Sequence, residues 1–248
     1  MPEREGVQPP RVVILAGGLG TRLRERSGEL PKALVEVRGE PFAHHQLRLL
    51  AAQGVREVVY VIGFRGEKLR HAIGDGGRFG LRVEYVDEGE ELHGTGGALR
   101  VALDAGALAD QVAILYGDSY LPIDLAPVWA AFEGSLRPAL MTVLRNEDRW
   151  DRSNAVVEGS HVVLYDKRTE HRDSRMAWID YGLTVLRREV VDGIPRNAVV
   201  DLGEIYRALS VRGELAAYEV FTRFYEAGSP DGLAELEVYL GSEPAGGR

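Results

Sequence analysis

The sequence predicts an α/β protein with a mostly parallel sheet flanked by helices, followed by a smaller portion with mixed or antiparallel strands. In the first half, short apolar runs alternate with segments of helical periodicity. Buried parallel strands have this near-continuous apolar character because helices cover both faces of their sheet. In the second half, four strand-like segments follow one another with few helices between them, and this favours antiparallel pairing.

The first strand is predicted at 11–15, where an apolar run stops at two adjacent glycines. A helix is predicted at 41–53, because Pro41 suits a first helical position and apolar residues recur at helical spacing. The other predicted elements of the first half are extended segments at 33–37, 58–62, 81–86 and 112–116, and helices at 66–73 and 95–104.

The second half is predicted to contain strands at 138–144, 154–158, 161–165 and 177–186, and helices at 201–210 and 230–240. Ser229 and Pro230 suit the N-cap and first position of the last helix. We expect one domain over 10–241, with halves at about 10–120 and 121–241 and flexible tails at 1–9 and 242–248.

The composition excludes several classes of protein. The 248 residues include 38 acidic and 30 basic ones, and the net charge of −8 argues against a general nucleic-acid binder. The absence of cysteine excludes disulfides and thiolate metal sites and fits a reducing compartment, so we expect a cytoplasmic protein. No apolar run approaches the ~18 residues that span a membrane, and the polar N-terminus lacks the apolar core of a signal peptide.

The first candidate loop follows the first strand and contains Gly17, Gly18 and Gly20. Glycines let backbone N–H groups face an anion because no Cβ blocks the approach. Arg22 and Lys32 add two cations, and together these groups could hold a triphosphate. A tight glycine turn beside two solvated cations is the alternative, because the spacing matches neither the dinucleotide-binding nor the P-loop pattern.

The string G-G-x-G-T-R-L, followed by a short spacer and Pro31-Lys32, resembles the signature of the sugar-nucleotide pyrophosphorylases. These nucleotidyltransferases join a sugar 1-phosphate to a nucleoside triphosphate, and the resemblance extends over about 11–240. It implies a Rossmann-like nucleotide-binding half and a smaller sugar-binding half. Because the sequence ends soon after the last motif, we expect no β-helix extension, which some members of the family carry. It also implies Mg²⁺ as the cofactor, and a nucleoside triphosphate and a sugar 1-phosphate as partners. Neither nucleic acid nor membrane is expected as a partner, and a homo-oligomer is compatible with the resemblance.

The resemblance gives the first loop specific roles. Arg22 contacts the triphosphate, and Lys32 stabilises charge at the reacting phosphorus. A second loop, H-G-T-G-G-A from His93, favours a flexible helix entrance when read alone. In the family this segment touches the base and ribose, and the form found here resembles the heptose- and mannose-phosphate guanylyltransferases. The residues placed at the nucleotide are Leu15, Ala16, Gly17, Gly18, Gly20, Thr21, Gly94, Thr95 and Gly96.

Three acidic residues are candidates for the same site. Asp118 follows a buried strand, and carboxylates at the C-terminal ends of parallel strands point into the usual ligand crevice. Mg²⁺ binds through one or two carboxylates plus substrate phosphates. The segment from Phe224 to Pro230 resembles the family's W-x-D-x-G-T-P, whose acidic residue is a second metal ligand, and this implies Glu226. Glu88 either faces the nucleotide or is a solvated loop charge.

Two segments of the second half correspond to the sugar-phosphate site of the family. Lys167 stands where the family has a lysine that contacts the sugar phosphate, with a solvated charge cluster as the alternative. The residues Asp180, Tyr181 and Gly182 occupy the place of an Asn-Ala-Gly segment that meets the sugar. This departure leaves the identity of the sugar open.

These motifs predict transfer of a nucleotidyl group to a sugar 1-phosphate, with GTP as the preferred donor. The alternatives are a uridylyl- or thymidylyltransferase of the same family, a choline-phosphate cytidylyltransferase, and a non-catalytic homologue that senses nucleotide sugars. A glycosyltransferase is disfavoured because the strand end reads G-D-S-Y rather than D-x-D.

Overall fold

The computed structural model describes residues 9–18, 30–89, 91, 93–168, 170 and 173–242. Within this part of the chain, one large sheet has nine strands. They are β1 (Arg11–Leu15), β4 (Glu57–Ile62), β5 (Arg82–Asp87), β6 (Gln111–Tyr116), β8 (Ala139–Arg145), β9 (Ala155–Glu158), β10 (His161–Tyr165), β11 (Trp178–Arg187) and β12 (Leu215–Val220). Four short strands lie outside it: β2 (Glu36–Val37), β3 (Glu40–Pro41), β7 (Ser119–Tyr120) and β13 (Tyr225–Glu226).

The strand order of the large sheet is β5-β4-β1-β6-β11-β8-β12-β10-β9. The first four of these strands are parallel, and Val13 of β1 lies beside Val59 on one side and Ile114 on the other. The strand β11 is antiparallel to β6 and joins this parallel part to the mixed part. The predicted α/β fold, with a parallel sheet first and mixed strands after it, is confirmed.

Seven helices pack on this sheet or beside it in the described part of the chain. They are α1 (Phe42–Ala52), α2 (Gly66–Ile73), α3 (Gly94–Asp104), α4 (Leu125–Ser135), α5 (Arg188–Asp192), α6 (Leu202–Val211) and α7 (Pro230–Ser242). Helices α1, α2 and α4 bury their apolar residues on one face, and α3, α5 and α6 on the other. None of these helices is both long and apolar enough to cross a membrane.

One sequence prediction of secondary structure is wrong, and two longer elements were not predicted. The expected extended segment at 33–37 is a 3-10 turn over Lys32–Leu34, because the amide of Leu34 donates to the carbonyl of Pro31, and only β2 after it is extended. Helix α4 was missed, although Asp124 caps it by accepting a hydrogen bond from the amide of Ala126. Strand β12 was missed as well, because two alanines weaken its strand character.

The short strands β7 and β13 pair antiparallel and place Glu226 beside Ser119. This pairing connects the turn after β6 to the segment before α7. The described residues contain no β-helix. The predicted tails lie almost wholly outside the described residues, and the division of the chain into halves near residue 120 stays a prediction.

Candidate active site

The C-terminal ends of the four parallel strands meet at one edge of the sheet. Gly17 follows β1, Gly63 follows β4, Glu88 follows β5 and Asp118 follows β6. Ligands of open α/β sheets bind at this edge, because the connecting loops leave a crevice there. Four separate segments thus bring glycines and carboxylates to one place.

The side chain of Glu88 lies against the backbone of the first glycine loop. A Cβ atom added to Gly17 would lie only 1.6 Å from Oε1 of Glu88, and one added to Gly63 would lie 3.0 Å from the same oxygen. Burial raises the pKa of the Glu88 carboxyl above its usual value. No donor among the described residues makes a hydrogen bond to this carboxylate. The carboxylate of Glu88 is therefore partly buried against two glycines, and its contact with a nucleotide stays a prediction.

The rest of the first loop is only partly described. Leu15 is buried in the sheet, and the amide of Ala16 donates to the carbonyl of Val61. The two residues can therefore offer a ligand little more than backbone atoms. Gly18 is exposed, and a Cβ there would meet nothing within 4 Å. The predicted site residues Gly20, Thr21 and Arg22 lie outside the described residues.

The second glycine loop has a structural partner that the sequence did not reveal. The amides of Gly96 and Gly97 donate to the carbonyl of Val200, and a Cβ at Gly94 would lie 2.5 Å from that oxygen. Thr95 accepts a hydrogen bond from the amide of Leu202 at 2.8 Å. The small residues of this loop therefore seat the start of α6 against the start of α3. Contact of Gly94, Thr95 and Gly96 with a nucleotide stays a prediction.

Three charged side chains converge beside Gly228. Nζ of Lys32 lies 3.0 Å from Oδ2 of Asp118. A Cβ at Gly228 would lie 2.7 Å from Oε2 of Glu226, 2.9 Å from Oδ2 of Asp118 and 3.2 Å from Nζ of Lys32. Lys32 comes from the 3-10 turn, Asp118 from the turn between β6 and β7, and Glu226 from β13. The structure thus brings together three of the predicted site residues.

The loop before α7 fixes the carboxylate of Glu226. Its Oε2 accepts a hydrogen bond of 2.5 Å from the amide of Gly228, and its Oε1 accepts one from the hydroxyl of Ser229. The amide of Ala227 donates to the carbonyl of Asp118 at 2.8 Å, so the two acidic residues are joined through the backbone as well. The extra methylene of glutamate is accommodated because a Cβ is absent at Gly232, where it would lie 2.0 Å from Oε1.

The oxygens of Asp118 and Glu226 fit a divalent cation. Both lie within 3 Å of the point where a Cβ of Gly228 would stand, and carboxylate oxygen is the donor that Mg²⁺ prefers. Among the described residues, no group of three or more His, Asp or Glu side chains surrounds this point. A cation held here would therefore complete its coordination with phosphate oxygens and water.

A cavity of about 610 Å³ opens beside these acidic residues. Its lining includes Ser119 and Glu226 at the acidic pair, and Lys167, Asp180 and Gly182 elsewhere. The cavity therefore joins the point of convergence to the predicted sugar-phosphate residues. Its volume is sufficient for a small polar ligand.

The carboxylate of Asp180 is buried and organises one wall of this cavity. It accepts hydrogen bonds from the hydroxyl of Tyr165 at 3.2 Å and from the amide of Gly182 at 3.0 Å. Nζ of Lys167 lies 3.7 Å from Oδ2 of Asp180, and its side chain is about half exposed. Tyr181 packs its ring edge-on against Phe224, so its side chain forms part of the wall.

Two neighbouring residues were not identified as part of the site from the sequence. Asp166 accepts from Arg168 at 2.6 Å and lies 3.3 Å from Arg207, and the Arg168 guanidinium lowers the pKa of Asp166 to about 2. Arg168 is thereby paired with Asp166, as Lys167 is with Asp180, and both cations line the cavity. Asn154 also lines the cavity, and its side-chain oxygen accepts from the amide of Asp180. A lone Asn after a charged loop gives no sequence signal.

The family model described as the MobA-like NTP transferase domain matches residues 12–193, which include the first glycine loop, Lys32, Asp118 and Lys167. The chain belongs to the MobA-like NTP transferase family. The matched residues extend from the second residue of β1 through β11 and thus include the four parallel strands almost completely. Glu226 follows the matched part and reaches the site through the pairing of β13 with β7.

Two relatives of this chain are named guanylyltransferases. The chain is 31% identical over 244 residues to a mannose-1-phosphate guanylyltransferase of Mycobacterium tuberculosis, covering 94% of this chain and 66% of the relative. It is 30% identical to a D-glycero-alpha-D-manno-heptose 1-phosphate guanylyltransferase of Aneurinibacillus thermoaerophilus, covering 66% of this chain and 70% of the relative. The chain thus spans about two thirds of the length of both relatives.

The fold of this chain is also found in a solved structure. The inositol-1-phosphate CTP transferase from T. maritima superposes with a TM-score of 0.78 at 18% identity, over 97% of this chain and 99% of the other. Further relatives are named glucose-1-phosphate thymidylyltransferase and UTP–glucose-1-phosphate uridylyltransferase. The names of these relatives thus include guanylyl-, thymidylyl- and uridylyltransferases.

Proposed function

We propose that this NTP transferase moves a nucleotidyl group from a nucleoside triphosphate to a sugar 1-phosphate, with release of pyrophosphate. The observation that carries the proposal is the convergence of Lys32, Asp118 and Glu226 at one end of the cavity that Lys167 also lines. Two polyanionic substrates need positive charge where their phosphates meet. Lys32 supplies it at the end near the glycine loop, and Lys167 supplies it on the cavity wall.

The reaction joins a sugar-phosphate oxygen to the α-phosphorus of the nucleotide. The bond from the α-phosphorus to the oxygen that bridges to the β-phosphorus breaks, and pyrophosphate leaves with that electron pair. The attacking oxygen is already anionic at neutral pH, so no general base is required. Positioning and fixed charge dominate catalysis of such transfers. In this scheme Lys32 neutralises the α-phosphoryl oxygens, Lys167 holds the incoming phosphate, and Arg22 holds the leaving pyrophosphate.

Asp118 and Glu226 are the residues that would hold Mg²⁺. When bound, the cation offsets the repulsion between the two substrates' phosphates. The ammonium of Lys32 forms an ion pair with the carboxylate of Asp118. Asp118 thereby keeps the Lys32 ammonium close to the proposed reacting centre.

A pyrophosphate-release screen tests this function. GTP, ATP, UTP, CTP and dTTP are each paired with hexose and heptose 1-phosphates and with choline phosphate, all with Mg²⁺. We expect release with at least one sugar 1-phosphate and its near loss in Asp118→Asn, because a neutral amide is a poor Mg²⁺ ligand. Release with choline phosphate alone would assign a different acceptor. Binding of nucleotide sugars without any release would indicate a sensing homologue and contradict the proposal.

We infer further that GTP is the preferred donor, and Glu88 supports this. Guanine presents two adjacent N–H donors on one edge, and an ionised carboxylate can accept from both. The Glu88 carboxylate lies against Gly17 at the strand ends and has no hydrogen-bond partner among the described residues. A site built for one base edge leaves buried polar groups unpaired when another base enters, at a cost of about 1–3 kcal/mol. A higher kcat/KM with UTP, dTTP or CTP than with GTP would refute the base assignment alone.

A further inference from the structure

A buried amide lies directly beneath the turn that carries Asp118. Gln46 is on α1, and its side chain is 1% exposed. Its Nε2 donates one hydrogen bond of 2.9 Å to the carbonyl of Tyr116 and another of 2.8 Å to the carbonyl of Ser119. These two carbonyls flank the Gly117-Asp118 turn on either side. One side chain therefore fastens both ends of the turn.

The side-chain amide of Gln46 lies in apolar surroundings, where an amide without hydrogen bonds destabilises the folded state. The neighbouring buried residues of α1, Ala43, Leu47 and Leu50, all pack into the apolar core. Burying an amide without hydrogen bonds costs free energy. Oε1 of Gln46 has no hydrogen-bond partner among the described residues. The opposite amide orientation would place this oxygen against two carbonyl oxygens. Both N–H groups are thus committed to the turn.

The same helix supports the partner of Asp118. Helix α1 packs against the 3-10 turn of Lys32, and the amide of Phe42 donates to the carbonyl of Val35 at 2.9 Å. The helix therefore holds the backbone on both sides of the ion pair between Lys32 and Asp118. Gln46 is the side chain that links it to the Asp118 side.

We propose that Gln46 is a positioning residue for nucleotidyl transfer. It fixes the Gly117-Asp118 turn so that the Asp118 carboxylate meets Glu226 and Lys32. This inference rests on the proposed function, because its consequence is measured as turnover. Side chains that orient metal-binding groups typically change metal affinity or activity by about 10–100-fold when they are removed.

The first test compares Gln46→Met with Gln53→Met. Methionine keeps the length of glutamine and removes its hydrogen bonds. Gln53 follows α1, and its Oε1 accepts from the amide of Leu125 at 3.2 Å, so it is a matched glutamine-to-backbone contact away from the Asp118 turn. We expect Gln46→Met to raise the Mg²⁺ concentration for half-maximal activity, or lower kcat, by about tenfold. Gln53→Met should keep both constants near wild type.

The second test uses the pH dependence of Gln46→Glu, which keeps the shape of the side chain. Protonated, the carboxyl can donate to one of the two carbonyls; ionised, it repels both. We expect the activity of Gln46→Glu relative to wild type to fall as pH rises, a profile that loss of packing alone does not produce. If Gln46→Met does not fold, the pH profile of Gln46→Glu still tests the positioning role of Gln46.

The outcomes separate the two proposals. Pyrophosphate release by no substrate pair in the wild type would remove the proposed function. An active wild type would overturn the role of Gln46 if Gln46→Met has the kinetic constants of Gln53→Met. A ratio of Gln46→Glu to wild-type activity that is constant with pH would overturn it too.

Discussion

Replacing Gly228 by alanine perturbs the charged centre with a single methyl group. The added Cβ would stand 2.7 Å from Oε2 of Glu226, 2.9 Å from Oδ2 of Asp118 and 3.2 Å from Nζ of Lys32. The backbone at Gly228 does not have a positive φ, so alanine can adopt its conformation without strain. The perturbation therefore acts on the three side chains rather than on the fold.

The size of the effect follows from these distances. A carbon and an oxygen in contact are about 3.3–3.6 Å apart, so each carboxylate oxygen must retreat by about half an ångström or more. Catalytic groups must be held within about 0.5 Å of their productive places, and a displacement of about 1 Å can cost 10²-fold. We expect kcat of Gly228→Ala to fall about tenfold, or about 1.4 kcal/mol in activation free energy.

Steady-state pyrophosphate release and thermal unfolding, measured on the same preparations, provide the assay. Gly134→Ala is the matched control, because a Cβ at Gly134 in α4 meets nothing within 4 Å. We expect this control to keep wild-type turnover and to gain slightly in stability, since alanine favours helix over glycine. A Gly228→Ala variant with kcat within twofold of wild type would refute the placement of the three groups around the reacting centre.

Lys32→Ala should lower kcat more than it raises the KM for the nucleotide, because the charge of Lys32 matters most as negative charge builds on the α-phosphoryl group. Initial rates measured over a series of nucleotide concentrations check this. A change in KM alone would make Lys32 a binding residue only. Glu88→Gln should reduce the preference for GTP. In the wild type the preference for GTP should weaken as the pH falls and Glu88 is protonated, and this should occur above the usual glutamate pKa because burial raises the pKa of Glu88. A GTP-to-UTP ratio of kcat/KM that does not change with pH would contradict this. Asp166→Asn should lower the Tm at pH 7, because Arg168 depresses the pKa of Asp166 from 3.8 to about 2 and the ion pair stabilises the folded state above the unfolded pKa. That stabilisation is lost as pH falls from about 4 to about 2, so the Tm values of variant and wild type, followed by circular dichroism, should converge there; a constant difference would show that packing causes it.

The parallel part of the fold was predictable because burial on both faces leaves a direct trace in the sequence. Strands β1, β4 and β6 are apolar runs and were predicted to within one residue. Helix α4 was missed because its Pro127 and Gly134 are common in turns. The order of the mixed strands could not be predicted, since it depends on pairings between residues far apart in the chain.

The site was predictable where function requires particular residue types next to a strand end. Lys32, Asp118 and Glu226 are carried by short motifs, and the structure brings them together. Gln46 gave no signal, because a single amide on an amphipathic helix has the appearance of a surface residue. The packing of Gly96 on Val200 was equally hidden, since the two segments are distant in sequence.

Strand β12 lies between β8 and β10, although both precede it in the chain. A polypeptide still being synthesised therefore presents two unpaired strand edges until β12 emerges, and such edges promote aggregation. Glu226 follows β12 closely and is placed beside Asp118 by the pairing of β13 with β7 and by the hydrogen bond from Ala227 to Asp118. Completion of the sheet by β12 and formation of the acidic pair thus both occur late in synthesis of the chain. Catalytic turnover should therefore begin only after β12 has paired with β8 and β10 and β13 has paired with β7.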